Sequence, residues 1–166
     1  MIPDAEIRRI SRLVFEESYD IEIIKAYKDA DTSRNTTTSP SADPHLSVTL
    51  AASTNYQFRF VIFTNNVAGV EGFRCEVDGT VGVTSMKAQI AIYDDTLNTL
   101  AAFARVTAIN SPVGVVLSSG DNYTTIEGSI ETSTAGTFAL EWSQQVSGGN
   151  NTTVQRGSNL VVTKVS

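Results

Sequence analysis

The sequence predicts an all-β fold, an antiparallel β-sandwich or jelly roll with a short N-terminal amphipathic helix. Nine short segments rich in Val, Ile, Thr and aromatic residues follow residue 45, and their apolar and polar residues alternate as in half-buried strands. Gly, Asn and Asp separate these segments. No helical periodicity lies between them, which argues against a parallel α/β sheet. We therefore expect one domain, with the sandwich formed by residues 46–166.

Residues 1–18 are predicted to form the N-terminal helix. Apolar residues recur there at helical spacing, and Pro3 suits a first helical turn. The helix either covers an open end of its own domain or anchors the chain on another subunit, and the sequence leaves both alternatives open. The apolar residues that would contact a partner are Ile7, Ile10, Leu13 and Val14.

Residues 19–45 are predicted to contain a strand followed by a Thr-rich surface loop or extended arm. Ile21 and Ile23 alternate with acidic residues, and almost no apolar residue occurs between Asp29 and Pro44. A segment of this composition runs over the surface because it offers nothing to a core. As an arm it would contact neighbouring subunits. The predicted contact residues are Arg34, Thr36, Thr37 and Thr38.

The sandwich itself is predicted from strand-like segments and the turns between them. The nine segments are 46–50, 55–63, 73–77, 89–93, 102–109, 113–117, 124–132, 137–145 and 159–165. Within 55–63, the alternate residues Tyr56, Phe58, Phe60 and Ile62 share one face, which we expect to be buried. Asp78-Gly79, residues 119–122 and Ala135-Gly136 carry residues that tolerate positive φ, and we predict that they close hairpins.

Composition and charge exclude several classes of function. The 166 residues carry a net charge of −6, which works against binding to a phosphate backbone, so nucleic acid is not an expected partner. The N-terminus has no secretory signal pattern, and no segment has enough apolar residues to span a membrane. The single cysteine, Cys75, cannot form an internal disulfide and is expected to be a buried thiol.

The sequence offers little catalytic chemistry, and we predict no catalytic, cofactor-binding or metal-binding residue. His45 is the single histidine, and we expect it to form structural hydrogen bonds because no second histidine could share a metal or assist it. Asp94 and Asp95 are neighbours in sequence and would point to opposite sides of a strand. These observations predict that the chain is not an enzyme.

Two further features of the sequence, an acidic loop and a single tryptophan, could indicate binding sites, but each has a simpler structural interpretation. Asp29, Asp31 and Ser33 are spaced like the start of a calcium loop, but the glycine and the glutamate that complete an EF-hand loop are missing. Trp142 lies among apolar neighbours, which favours a core position over an exposed platform for sugars. We therefore expect a solvated loop and a core tryptophan.

Two segments of the chain resemble a group of small virion proteins of tailed bacteriophages. The first, within residues 31–63, combines a Thr-run, an Asp-Pro-x-Leu motif and a Tyr-x-Phe strand. Its matching residues are Asp43, Pro44, Leu46, Asn55, Tyr56 and Phe58. The second is similar to the closing hairpin of that group. Its matching residues are Gly136, Phe138, Trp142, Gln144, Thr153, Val154, Gly157, Ser158 and Leu160.

The resemblance implies a non-enzymatic structural protein of the virion that is assembled in the host cytoplasm. It would act as a capsid decoration or cement subunit that stabilises the phage head from outside, without a cofactor. Its partners would be the major capsid protein or other virion proteins, and analogy with virion jelly rolls suggests a homo-oligomer, a trimer. The alternative is a tail- or fibre-associated module that binds a receptor or glycan.

Overall fold

A computed structural model describes residues 21–165 of the chain. The predicted helix, with its contact residues Ile7, Ile10, Leu13 and Val14, lies outside the described residues. Within them, no helix is long and apolar enough to cross a membrane. The described residues form twelve strands: β1 (Ile23–Tyr27), β2 (Thr32–Arg34), β3 (Ser41–Leu50), β4 (Asn55–Asn66), β5 (Phe73–Asp78), β6 (Gly82–Asp94), β7 (Thr99–Val106), β8 (Val113–Val115), β9 (Gly120–Thr134), β10 (Gly136–Ser143), β11 (Thr152–Val154) and β12 (Asn159–Lys164).

The strands form two antiparallel sheets packed face to face. The large sheet has the order β1-β12-β4-β9-β6-β7. The short strand β11 pairs with the C-terminal end of β4 on one side and with β2 on the other. The small sheet has the order β3-β10-β5-β8. From β3 to β11 the chain changes sheet at every connection except that between β6 and β7, which is the alternation of a jelly roll. The predicted all-β sandwich is confirmed.

The core lies between the sheets and follows the predicted alternation. Tyr56, Phe58, Phe60 and Ile62 all point inward from β4 and are buried, as expected. Phe138 of the small sheet packs edge-on against Phe58, with ring centroids 4.9 Å apart. Such contacts across the sandwich bury large apolar areas and fix the distance between the sheets.

Two residues singled out from the sequence are also in the core. Trp142 is fully buried and packs against Phe73, with ring centroids 6.0 Å apart. Cys75 is a free, fully buried thiol, and burial, followed by the nearby charge of Glu76, raises its pKa. A thiol that is neither exposed nor ionised does not react readily. Both predictions are confirmed.

The three predicted hairpin turns were wrong, because each one carries the chain from one sheet to the other. Asp78-Gly79 connects β5 to β6, residues 119–122 lie where the chain coming from β8 enters β9, and Ala135-Gly136 connects β9 to β10. In each connection the two strands belong to different sheets. A glycine permits a sharp reversal of direction, but it does not specify whether the second strand pairs with the first.

The β5–β6 and β9–β10 connections pack against each other, and this close contact accounts for the glycine in each of them. The amides of Thr80 and Val81 both donate to the carbonyl oxygen of Thr137 at 3.1 Å. Gly79 has a φ of 146°, which L side chains rarely adopt. A Cβ on Gly136 would lie 2.6 Å from backbone atoms of Thr80. The backbones approach too closely at this corner for any side chain at position 136.

Residues 21–45 are attached to the domain through both sheets. β1 pairs with β12, and the side chains that pack against the core are Ile24 and Ala26, while Ile21 and Ile23 are exposed. Further along, the Thr36 amide donates to the Gly148 carbonyl at 2.9 Å. The predicted surface loop or arm is therefore a surface segment that is hydrogen-bonded to the body of the domain and contains the short strand β2.

Candidate functional site

The outer face of the large sheet is the surface of the described residues with the strongest features of a binding site. The strand registers align its outward side chains in rows across the sheet. One row is aromatic and apolar, and two adjacent rows are largely polar and carry four cations. We call the first row the aromatic patch and the two polar rows together the basic groove.

The aromatic patch lies where β4, β9, β6 and β7 run side by side. Phe63 pairs with Tyr123, Tyr123 with Tyr93, and Tyr93 with Leu100, so that the four side chains form one row. The rings of Tyr93 and Tyr123 stack almost parallel, at 6° and with centroids 4.4 Å apart. Phe103 follows one row away on β7 and is 51% exposed. Aromatic side chains clustered in solvent mark a surface for binding.

The basic groove crosses the middle of the same face, and its part between β12 and β7 is an open hollow of about 810 Å³. In its first row, Arg59 is opposite Glu127, which is opposite Gln89, which is opposite Arg105. Lys25 extends this row through β1 and β12. The second row consists of Ile23, Thr163, Gln57, Ser129 and Lys87.

The charges of the groove are unbalanced. Gln89 Nε2 donates to Glu127 Oε1 at 2.5 Å, and Arg59 Nε is 3.9 Å from Glu127 Oε2. These two rows therefore carry four cations, namely Lys25, Arg59, Lys87 and Arg105, and a single carboxylate. The next carboxylate on this face, Glu131, lies one row further along β9. A basic surface on a chain with net charge −6 favours an acidic partner.

Asp94 holds the turn beside the aromatic patch in place through hydrogen bonds. Its carboxylate is buried and accepts hydrogen bonds from the amides of Leu97 at 3.0 Å and Ser118 at 2.8 Å. Burial opposes ionisation of this group, but the hydrogen bonds outweigh it and lower the pKa of Asp94. Asp94 therefore fixes the turn that follows Tyr93. Asp95 is exposed, and the two residues do not form a carboxylate pair that shares a site.

The outer face of the small sheet is acidic, in contrast to the groove. Glu76 on β5 is directly opposite Glu141 on β10, and Asp78 lies nearby. Burial first, and then the charges of Asp78 and Glu141, raises the pKa of Glu76. Burial, followed by the charge of Asp78, likewise raises the pKa of Glu141. Arg74 and Arg34 face these carboxylates and partly offset them, but three carboxylates outnumber two cations. The two outer faces of the sandwich therefore differ in the sign of their excess charge.

The arm residues predicted to bind a partner lie away from the basic groove. The Arg34 guanidinium is 4.1 Å from the ring centre of Trp142, and it donates to the carbonyl oxygens of Ser41 and Ala42 at 2.8 Å and to that of Trp142. Thr36 and Thr38 are exposed, and the Thr37 carbonyl accepts from the Gln144 amide at 3.1 Å. Arg34 thus serves the domain itself, while the predicted partner contacts stay predictions.

The remaining candidate residues separate into different contacts. Asp29 lies 3.0 Å from His45, Asp31 accepts from the Arg156 amide, and Ser33 bonds to the Thr153 hydroxyl. Asp29, Asp31 and Ser33 are therefore not brought together around one point. His45 contacts a buried ion pair, which is consistent with the expected hydrogen-bonding role.

The aromatic patch was missed in the sequence, although a signal for it exists. Tyr93 and Phe103 occupy the outward positions of predicted strands, where the alternation calls for polar residues. Phe63 likewise occupies an outward position of β4, directly after the buried Ile62. An aromatic residue at the wrong phase of an amphipathic strand marks an exposed ring, and three of them on separate strands mark a candidate patch.

Comparisons with known proteins give no family. No protein-family model matches the chain, and no curated protein matches it in sequence. Among solved structures, Eiger TNF from S. frugiperda is similar over 88% of this chain and 93% of its own, at 6% identity and a TM-score of 0.44. The infectious bursal disease virus VP2 subviral particle is similar over 90% of this chain, at 13% identity and a TM-score of 0.25.

A CocE/NonD family hydrolase from Staphylococcus aureus is also similar, over 89% of this chain, at 10% identity and a TM-score of 0.36. The chain spans only 37% of that hydrolase and 42% of the VP2 chain. With identities and TM-scores this low, the likenesses carry no function over to this chain. Its class is defined by its own structure, which is that of a β-sandwich.

Proposed function

We propose that the chain is a non-enzymatic structural protein of a phage virion, a decoration or cement subunit that binds the exterior of the capsid. The observation that carries this proposal is the outer face of the large sheet, where the aromatic patch adjoins the basic groove. Soluble monomers rarely leave such an apolar cluster in water without using it for binding. The four cations of the groove complement an acidic surface on the shell.

The mode of action would be stabilisation through binding. A protein that binds the assembled shell and not its separated subunits shifts the disassembly equilibrium by mass action, and many copies multiply the effect. We further propose that the subunit is a homo-oligomer, a trimer, and that the N-terminal apolar residues and the Thr-rich segment add contacts to the shell or to sister subunits. Its location would be the virion.

The test is co-sedimentation of the purified protein with phage capsids assembled without it. Saturable binding near an icosahedral copy number, together with a higher capsid melting temperature, is the expected result. Arg59→Glu and Arg105→Glu together should weaken binding at least about tenfold, because they reverse two charges of the groove. Arg156→Glu makes the same kind of change on an exposed loop and is the matched control.

A second pair of variants tests the aromatic patch. Phe103→Ser should weaken capsid binding, while Leu97→Ser removes a similarly exposed side chain from a turn and should leave binding unchanged. Equal binding by the wild type, the groove variants and Phe103→Ser would exclude this face as the capsid contact. Absence of any binding to capsids would exclude the decoration role itself.

A second candidate function is a tail- or fibre-associated module that binds a receptor or glycan. The specific observation in its favour is that an open groove lined by Arg, Gln, Glu and Ser side chains lies beside exposed aromatic rings. Such a combination provides planar hydrogen-bonding groups and a stacking surface for a sugar. Binding to an acidic glycan on an array, lost in Phe103→Ser and absent for capsids, would favour this candidate over decoration.

A further inference from the structure

A buried ion pair connects the two sheets at one end of the sandwich. Lys28 directly follows β1 of the large sheet, and Asp43 lies in β3 of the small sheet. Both side chains are fully buried. Lys28 Nζ is 2.8 Å from Asp43 Oδ2 and 3.0 Å from Oδ1. These two distances place Nζ within roughly 3.5 Å of the carboxyl carbon, a separation from which attack requires only a rotation of the carboxyl group about its Cβ–Cγ bond.

A histidine contacts the same amino group. His45 Nδ1 lies 3.2 Å from Lys28 Nζ, and His45 Nε2 lies 3.0 Å from Asp29 Oδ1. The lysine can only donate, so Nδ1 accepts, and the hydrogen-bond network assigns the ring proton to Nε2. Asp29 thus orients an imidazole whose free lone pair points at the lysine nitrogen. Aspartate, histidine and nucleophile form the arrangement that activates nucleophiles in many proteins.

The carboxyl group of Asp43 is surrounded by hydrogen-bond donors. Oδ1 accepts from the backbone amides of His45 at 3.0 Å and Leu46 at 3.3 Å, and Oδ2 accepts from Trp142 Nε1 at 3.1 Å. Donors fixed in this way polarise a carboxyl carbon and stabilise the oxyanion that forms when a nucleophile adds to it. The remaining polar contact of Lys28 is to Thr32 Oγ1 at 2.7 Å.

We propose that Lys28 and Asp43 condense into an intramolecular isopeptide bond. A proton passes from the ammonium group to the carboxylate, which gives a neutral amine and a neutral acid in a site shielded from water. Nζ then attacks Cγ to form the Nζ–Cγ bond, and His45 accepts a proton from the nitrogen. The Cγ–OH bond breaks as this proton is returned to the leaving oxygen. One amide and one water are formed, and no oxidant, cofactor or metal takes part.

The bond would have a clear structural consequence. It would connect an edge strand of the large sheet to the small sheet covalently, in a chain whose single cysteine cannot form an internal disulfide. The reaction occurs once per molecule and is a self-modification, so it is compatible with a non-enzymatic role. It is also independent of what the outer face of the large sheet binds.

The first test is the mass of the purified full-length protein under denaturing conditions. We expect a mass lower than that of the sequence by one water, and a proteolytic digest should contain one branched peptide that joins residues 28 and 43. The mass of the unmodified sequence, unchanged after prolonged incubation of the folded protein, would overturn the proposal. The wild type itself gives the answer, whether or not any variant folds.

Variants then assign the roles. Lys28→Arg and Asp43→Ala should both have the unmodified mass, while Lys164→Arg, an exposed change on the neighbouring strand β12, should lose one water like the wild type. His45→Ala and Asp29→Asn should slow bond formation, the former by about a hundredfold or more if the imidazole acts as the base. An unchanged rate in His45→Ala would overturn the role of His45. A branched peptide at Lys25 or any other lysine would overturn the assignment of Lys28.

Discussion

The buried Lys28–Asp43 pair and the exposed Arg59–Glu127 pair contain the same kinds of charge in opposite surroundings. The first has both side chains fully buried and nitrogen–oxygen distances of 2.8 and 3.0 Å. In the second, the side chains are 61% and 44% exposed and the atoms are 3.9 Å apart. Water screens the second pair and not the first. The comparison shows that burial, more than residue type, decides what a pair of charges does.

This difference also separates the roles that the two regions can have. The remaining hydrogen bonds of the buried pair are made to Thr32, His45 and Trp142 of the same domain. Lys28 and Asp43 therefore have no group exposed to a binding partner. The exposed pair belongs to a face with an excess of cations and with aromatic rings in water. The first region therefore concerns the integrity of the fold, and the second concerns binding. Mutations should separate the two effects.

The largest expected effect is that of Lys28→Met. Removal of the lysine leaves Asp43 as an uncompensated buried charge, which should lower the free energy of unfolding by about 3–5 kcal/mol. Urea denaturation of the variant and the wild type measures the difference. If the isopeptide bond forms, the loss becomes larger because the cross-link disappears as well. A loss below about 1 kcal/mol would show that the pair is solvated like the exposed one.

A smaller effect of opposite sign is expected for Glu76→Gln. Burial and the charges of Asp78 and Glu141 raise the pKa of Glu76 in the folded state above its unfolded value. The folded protein therefore holds this proton more tightly, and stability is lost as the pH rises from the unfolded pKa through the folded one. The glutamine variant should be more stable at neutral pH, by on the order of 1 kcal/mol.

The comparison variant for Glu76→Gln is Glu22→Gln, an exposed change of the same kind. Thermal melts of both variants at several pH values provide the measurement. The stabilisation of Glu76→Gln should fade in acid, where the glutamate of the wild type is protonated. Equal stability of Glu76→Gln and the wild type at neutral pH would mean that neither burial nor the neighbouring carboxylates disfavour the ionised form of Glu76.

The smallest effect on stability is expected at the exposed pair. Glu127→Gln and Arg59→Ala should each change the free energy of unfolding by less than about 0.5 kcal/mol, because exposed ion pairs contribute little. The same Arg59 variant should weaken partner binding, which distinguishes a binding residue from a structural one. If either exposed-pair variant lost as much stability as Lys28→Met, the buried and the exposed ion pair would not differ in their contribution to the fold.

The strands were predictable because their signal is local. All nine predicted segments contain or overlap a strand, and the inward residues of β4 followed the alternation. The short strands β2 and β11 escaped prediction, since three residues are too few to show a period. The turns were recognised as turns, but their role was not, because pairing depends on which strand lies alongside.

The candidate sites were less predictable, for the same reason. His45 was correctly expected to form hydrogen bonds. Its partners Lys28 and Asp29 lie more than fifteen residues earlier in the chain, and no spacing pattern in the sequence connects them to His45. The rows of the outer face combine residues from β4, β6, β7 and β9, whose alignment depends on the register of three strand pairs. Register is a property of the folded sheet.

The sequence by itself determined the all-β class, the positions of the main strands, the buried phase of their side chains, and the core positions of Cys75 and Trp142. Hydrophobic alternation carries this information within a few residues. Only the tertiary structure decided the order of the strands, the crossings at the glycine corners, the aromatic patch with its basic groove, and the contact of Lys28 with Asp43. Each of these depends on residues far apart in the chain, which meet only when both sheets close over a common core.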